Sequence, residues 1–193
     1  MIFSEKIQKA IDLAIKVHQL DEQQVRKGTT IPVITHLLIT ALILARTGAD
    51  EDVIAAGILH DVIEDSTKTK ITEKYLTKEF GKKVAHIVGN LSEKPKDKYS
   101  WEQRKQMKLE SVKNWDKDSV LVKSADMLHN MRDNVIETKQ NGKQMFANYF
   151  NAPYEQQVKK KRLMIEALAK AWPENPLMPE IKIYLKTFES LNH

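Results

Sequence analysis

Apolar residues recur at three- and four-residue spacing almost from one end of this chain to the other, a period that points to an all-α fold. Near the start, Ile7, Ile11, Ala14 and Ile15 form one stripe, and Ser4 stands where a helix N-cap is wanted. A polar stretch over 21–30 interrupts the pattern, and Pro32 breaks any continuation. Thr35 is suited to cap a second helix, His36 to Arg46, which Gly48 ends. Asp50 opens another, with Glu51 and Asp52 at the end where the helix dipole favours negative charge. From Val53 to Leu59 that helix is apolar nearly all the way round, which marks a helix buried on most sides.

The remaining elements follow by the same signals. Thr72 begins a short helix closed near Gly81, and Val84 to Leu91 reads as another. Ser100 and Gln103 have capping-box spacing and open a helix towards Asn114. Asp116 or Asp118 caps a helix running through Asn134, followed by a polar loop around Gly142. A long helix from about Tyr154 to Ala171, a turn bounded by Pro173, Pro176 and Pro179, and a final helix from Ile181 to Leu191 complete the chain. Six Gly and six Pro in 193 residues argue against a turn-rich β fold. With no repeat and no linker, residues 1–193 are expected to form a single compact multi-helix domain, the informative motifs falling in about 5–134 and C-terminal helices in about 143–191.

The chain contains no Cys, so disulfides and thiolate metal sites are excluded, and a bound metal must use His and carboxylate. No apolar run approaches the roughly 20 residues that span a bilayer, and Met1 to Lys9 lacks a signal-peptide core, so a cytoplasmic setting without membrane contact is expected. The net charge of +5 is compatible with an anionic substrate, with a nucleic acid, or with nothing beyond solubility. Its lysines are scattered along the chain, so nucleic acid is not expected as a partner, while a homo-oligomer is left open. Trp101, Trp115 and Trp172 read as packing anchors, and His18, His86 and His193 as surface or packing residues.

Chemistry concentrates just after the buried helix, in LHDVIED (Leu59 to Asp65). Helical spacing sets His60 near Glu64 and Asp61 near Asp65, so four ionisable groups, three of them carboxylates, crowd one helix end. Like charges at that range repel unless a cation or proton sits among them. A divalent metal resolves the conflict; the alternative is that Glu64 and Asp65 face water and Asp61 pairs with a lysine. The segment KSADMLHNMRD (Lys123 to Asp133) adds Asp126 beside a core stripe, with Asn130 and Arg132 suited to holding an anion.

The ordered set of His36, His60-Asp61 and Asp126 resembles the HD superfamily of metal-dependent phosphohydrolases. RKGTTIPVITH (Arg26 to His36), LHDVIED and KSADMLHNMRD are similar to the hydrolase domain of the Rel/Spo family and its small stand-alone relatives, which remove the 3′-pyrophosphate from guanosine tetraphosphate using manganese. The resemblance implies an all-helical HD domain, a divalent metal of the Mn²⁺ type on His36, His60, Asp61 and Asp126, and Glu64 and Asp65 as the catalytic acidic pair. It further implies that Arg26 and Lys27 lie near the nucleotide and that Asn130 and Arg132 lie on the substrate side. Such an ion polarises a phosphoryl group and acidifies water. The departures are Val33 where relatives carry Tyr, Leu37 where they carry Pro, and Ser124 and Met127 in the second signature. None removes a metal ligand, but Val33 removes a substrate contact. Two alternatives accompany this reading: another nucleotide, such as a nucleoside monophosphate, or a non-catalytic nucleotide-binding module.

Overall fold

A computed structural model of the chain describes residues 4–150 and 152–191; His193 and the first residues lie outside that range. The described residues form helices and no strand, only one isolated antiparallel bridge, Val25 to Pro32. The first helix, α1 (Glu5–Ala14), starts where Ser4 accepts a hydrogen bond from the Ile7 amide, and buries Ile7, Ala10, Leu13 and Ala14. It widens into a π-helical stretch, Ile15–Asp21. Val17 and His18 are buried within it, His18 continuing the face of Ile7, Ile11 and Ala14. The following loop folds back as a small hairpin whose Arg26 amide donates to the Ile31 carbonyl and whose Val33 amide donates to that of Gln24. Gly28, at φ 76, makes its tip, and a side chain there would also press on the Tyr149 ring.

The second helix, α2 (Ile34–Arg46), begins before the expected position. Val33 takes the cap without a side-chain bond, and Thr35 instead donates its hydroxyl back to the Pro32 carbonyl at 2.8 Å. His36 is thereby set in the first turn. Next, α3 (Glu51–Leu59) is capped by Asp50 and buries every residue from Val53 to Leu59. Fully burying the larger of these side chains, Val53, Ile54, Ile58 and Leu59, contributes about 1.5–3 kcal/mol each before entropy is counted. The chain then turns at His60 and Asp61 into the short α4 (Val62–Asp65), so the His-Asp pair occupies a junction between helices.

Beyond it come α5 (Glu73–Phe80), capped by Thr72, α6 (Lys82–Leu91), and α7 (Trp101–Ser111), whose Ser100–Gln103 capping box forms as its spacing predicts. The longest helix, α8 (Lys117–Asn141), starts at Asp116, which accepts from the Ser119 amide at 2.8 Å. It runs past Asn134 because no Gly or Pro occurs before Gly142, whose φ of 72 ends it. Then follow α9 (Gln144–Tyr149), α10 (Tyr154–Ala171) and α11 (Met178–Ser190), the last with Pro179 in its first turn. Packing against α2, α3, α6, α10 and α11, α8 acts as the spine of the fold. No helix among the described residues is long and apolar enough to cross a membrane.

Candidate metal centre and cleft

Three separate elements deliver the polar cluster: His36 from the first turn of α2, His60 and Asp61 from the α3–α4 junction, and Asp126 from the middle of α8. The close approach of α2 and α3 has a visible cause. Gly57 faces Leu44, and a Cβ there would lie well inside contact distance of the Leu44 Cδ1 atom. The Gly57 carbonyl also accepts from His60 Nδ1 at 2.8 Å, which fixes the ring.

His36, His60 and Asp126 are buried, and one ligand atom from each lies within 4.8 Å of the other two. His36 Nε2 is 3.1 Å from Asp126 Oδ1. His60 Nε2 lies 3.2 Å from Asp61 Oδ2 and 3.8 Å from Asp126 Oδ1, yet it is aligned for a hydrogen bond with neither. An unpartnered nitrogen buried among carboxylates is what a metal ligand looks like before a cation is added. The electrostatics agree. Burial opposes the His60 imidazolium, but Asp61 and Asp126 outweigh it and raise the group to about 9. Burial likewise opposes the ionised Asp61 and Asp126, while His60 holds the first, and Lys123 and His36 hold the second, below the usual carboxylate range. The pocket is built for positive charge, and its mixed imidazole and carboxylate donors fit a divalent metal.

A line of supporting contacts sets the His36 tautomer. His36 Nδ1 is 2.6 Å from His129 Nδ1, and His129 Nε2 is 3.5 Å from Asp133 Oδ1. If Asp133 draws the His129 proton to Nε2, then His129 Nδ1 accepts from His36 Nδ1, and His36 Nε2 is left bare toward the site. Burial depresses His129 to about 4, in keeping with a neutral ring.

Glu64 and Asp65 face the same cleft, of about 1020 Å³. Glu64 accepts from the Glu93 amide at 2.6 Å. Asp65 lies 3.7 Å from His18 Nδ1, which is itself 2.6 Å from Gln24 Oε1. Burial first, then the charge of Asp61, pushes both carboxyls above their ordinary values. His18 is therefore no surface residue: it sits beneath one of the two carboxylates. His86 is at the surface beside Asp116.

Of the remaining sequence-selected residues, Arg26, Lys27 and Asn130 line the cleft. Arg26 donates to both Asn130 Oδ1 and Asp133 Oδ2 at 2.9 Å, and Lys27 lies 5.1 Å from the Phe150 ring centre. Arg132 does not line it; its half-exposed guanidinium reaches Asp133 at 3.6 Å. The sequence reading passed over Lys123, which donates to Asp126 Oδ2 at 2.6 Å, although its i, i+3 spacing to that residue signals the contact. It also passed over the wall formed by α7 and α10, with Trp101, Lys105 and Lys161; Trp101 lines the cleft, with Lys160 3.1 Å over its ring.

The chain is similar to known proteins at three levels, family, sequence and fold. A family model described as HD domain matches residues 10–151. A guanosine-3′,5′-bis(diphosphate) 3′-pyrophosphohydrolase of Haemophilus influenzae is 41% identical over 105 residues, covering 52% of this chain and 15% of that protein. One of Aquifex aeolicus is 35% identical over 130 residues, covering 67% and 18%. The chain thus spans less than a fifth of the length of these curated relatives. Among solved structures, a metazoan ortholog of SpoT that hydrolyzes ppGpp superposes at a TM-score of 0.75 with 22% identity, covering 95% of this chain and 96% of that one, which establishes a shared fold. A Listeria monocytogenes protein superposes at 0.68 with 27% identity over 78% of this chain and 96% of that one. The family match takes in α2, the α3–α4 junction and the whole of α8, the very segments that converge on the buried histidines and aspartate, and the chain belongs to the HD domain family.

Proposed function

We propose that this chain is a metal-dependent phosphohydrolase that removes pyrophosphate from guanosine tetra- or pentaphosphate, with Mn²⁺ as the metal. The observation that carries the reading is one cleft holding an unpartnered buried His60 nitrogen among His36, Asp61 and Asp126, with Glu64 and Asp65 on the same wall. The curated relatives named for this reaction support the substrate. His36, His60, Asp61 and Asp126 would hold the ion, which supplies Lewis acidity toward the phosphoryl group and the attacking water. Glu64 and Asp65 orient that water and take its proton, a task favoured by carboxyls whose burial has made them stronger bases than free ones. The water oxygen bonds to phosphorus as the bond to the ribose 3′-oxygen breaks, that oxygen takes up a proton to become a hydroxyl, and inorganic pyrophosphate and guanosine 5′-di- or triphosphate are the products. Arg26 and Lys27 receive the nucleotide, Asn130 orients Arg26 and Asp126, and Arg132 contributes charge from outside the cleft. We take residues 1–193 as one domain, since α10 and α11 pack on α8, and the setting as cytoplasmic.

Val33 lines the cleft and favours a second reading, a different phosphorylated nucleotide. Manganese-loaded protein is assayed for phosphate and pyrophosphate release against guanosine tetraphosphate and a panel of nucleotides. Pyrophosphate released from the tetraphosphate, and lost in Glu64→Gln with nucleotide binding retained, is expected. Silence on the tetraphosphate with turnover of another nucleotide transfers the reading to that substrate. Tight binding without turnover of any nucleotide makes the chain a binding module.

A further inference from the structure

The wall of the cleft formed by α10 lies beyond the residues that the HD model matches, 10–151, and none of the chemistry described so far uses it. Gln157, Lys161 and Met164 recur there at i, i+4 and i+7 and line the cleft as one helix face. Lys161 is the cation on that face. Its electrostatic neighbours are Asp126 and three other cations, Lys123, Arg26 and Lys105.

Those three are already committed. Arg26 is held by Asp133 at 2.9 Å, Lys123 by Asp126 at 2.6 Å, and Lys105 by Glu93. On the neighbouring position, Lys160 covers the Trp101 ring. Lys161 makes no ion pair and no hydrogen bond among the described residues, although it is only partly exposed and shares the cleft with the metal ligands. A desolvated ammonium among other cations is unfavourable unless an anion joins it. Burial, followed by the repulsion of Lys123, accordingly brings Lys161 down to about 8 despite Asp126.

We propose that Lys161 is a substrate-binding residue that α10 supplies to the cleft, holding the oxygens of a phosphate group at the metal end. Its ligand is a phosphorylated compound carrying more charge than one metal ion neutralises. A lysine serves this task as a point charge on a flexible stem, where a fixed fork is not needed. The inference deepens the proposed hydrolysis of a nucleotide polyphosphate and rests on that reading only for the identity of the substrate.

The probe is inorganic pyrophosphate, titrated calorimetrically into manganese-loaded full-length protein. Loss of a hydrogen bond to a charged group predicts that Lys161→Gln weakens binding about tenfold or more. Lys161→Arg keeps binding within about threefold, because the charge remains. Lys170→Gln, on an exposed position of the same helix, leaves it unchanged. Melting temperatures check folding, and Lys161→Met replaces the Gln variant if that one is unstable. Turnover of guanosine tetraphosphate by the Gln variant should show a raised KM. Wild-type affinity retained in both uncharged variants overturns the role of Lys161, as does a wild type that does not bind pyrophosphate. If the binding pattern holds but guanosine tetraphosphate is not cleaved, the substrate reading fails and Lys161 keeps its role. If cleavage occurs and Lys161→Gln binds and turns over like wild type, the reverse is true.

Discussion

Gly57→Ala tests whether the approach of α2 to α3 sets the metal centre. Gly57 is buried in α3, and an added methyl would meet Leu44 Cδ1 head-on while touching Leu44 Cγ and Thr40 Cγ2 at 3.7 Å. Leu44 has 0% exposure, so its side chain has no open space into which to swing. Overpacking of this kind costs about 1–3 kcal/mol. Against that, Ala in a helix interior gains about 0.5–1 kcal/mol over Gly. The net expectation is a loss of about 1–2 kcal/mol, which for a chain of this size lowers the melting temperature by about 2–8 °C. Urea unfolding of metal-free protein measures it, and manganese titration follows the displacement of His60, whose Nδ1 is tied to the Gly57 carbonyl. Leu44→Ala alone should cost about 2–5 kcal/mol through the cavity it leaves. In the double variant the new methyl occupies part of that cavity, so the two losses should fall short of their sum by more than about 0.5 kcal/mol. Strict additivity would refute the steric argument, as would a Gly57→Ala protein at least as stable as wild type.

Other expectations follow from the same geometry. His60→Ala and Asp126→Ala should lose the metal and most hydrolysis; a full metal complement in both, by elemental analysis, would sink the ligand assignment. His129→Leu should weaken manganese binding about 10–100-fold by freeing the His36 ring, and His129→Gln, which can still accept from His36 Nδ1, should recover part of it. His18→Leu removes the ring that lies 3.7 Å from Asp65 and holds Gln24, and should lower kcat severalfold with little change in KM; an unchanged kcat would show that Asp65 needs no such support. Asp116 caps α8, and although burial opposes its ionisation, the Ser119 amide and His86 hold its carboxyl below the ordinary 3.8. A depressed folded-state value means that its stabilisation is present above 3.8 and is lost as pH falls through the folded value. Asp116→Ala should therefore cost about 1 kcal/mol at neutral pH and less near pH 2, and a difference that does not shrink on acidification would contradict the sign.

The helices were legible because their ends are written locally. Ser4, Asp50, Thr72, Ser100 and Asp116 each accept from the amide three residues on, a contact that the sequence spacing alone specifies. Thr35 misleads because a threonine near a helix start has two uses, and the Pro32 carbonyl takes its hydroxyl. Arg132 misleads for a geometric reason: Asp126, Asn130 and Asp133 recur at i, i+4 and i+7 on one face, and a residue at i+6 points away from it. The tie between Arg26 and Asp133 spans 107 positions, and nothing in either segment announces it. His18 continues the stripe of Ile7, Ile11 and Ala14, so its burial follows from a period of 3.6, but its neighbour Asp65 lies in a separate segment that nothing local connects to it.

What joins the legible and illegible parts is α8. Asp126 supplies a candidate ligand, His129 sets the His36 ring, and Asn130 and Asp133 hold Arg26, all within two turns of one helix. Because these residues share a rigid element, a displacement of α8 moves the metal end and the nucleotide end of the cleft together. The α10 wall is different. It packs on α8 but carries Lys161 on its own face, so substrate charge can be read by a residue on a helix that supplies none of the metal ligands. Metal affinity and phosphate affinity should therefore respond to different substitutions: to those at His129 and Gly57 for the first, and to those on the cleft face of α10 for the second.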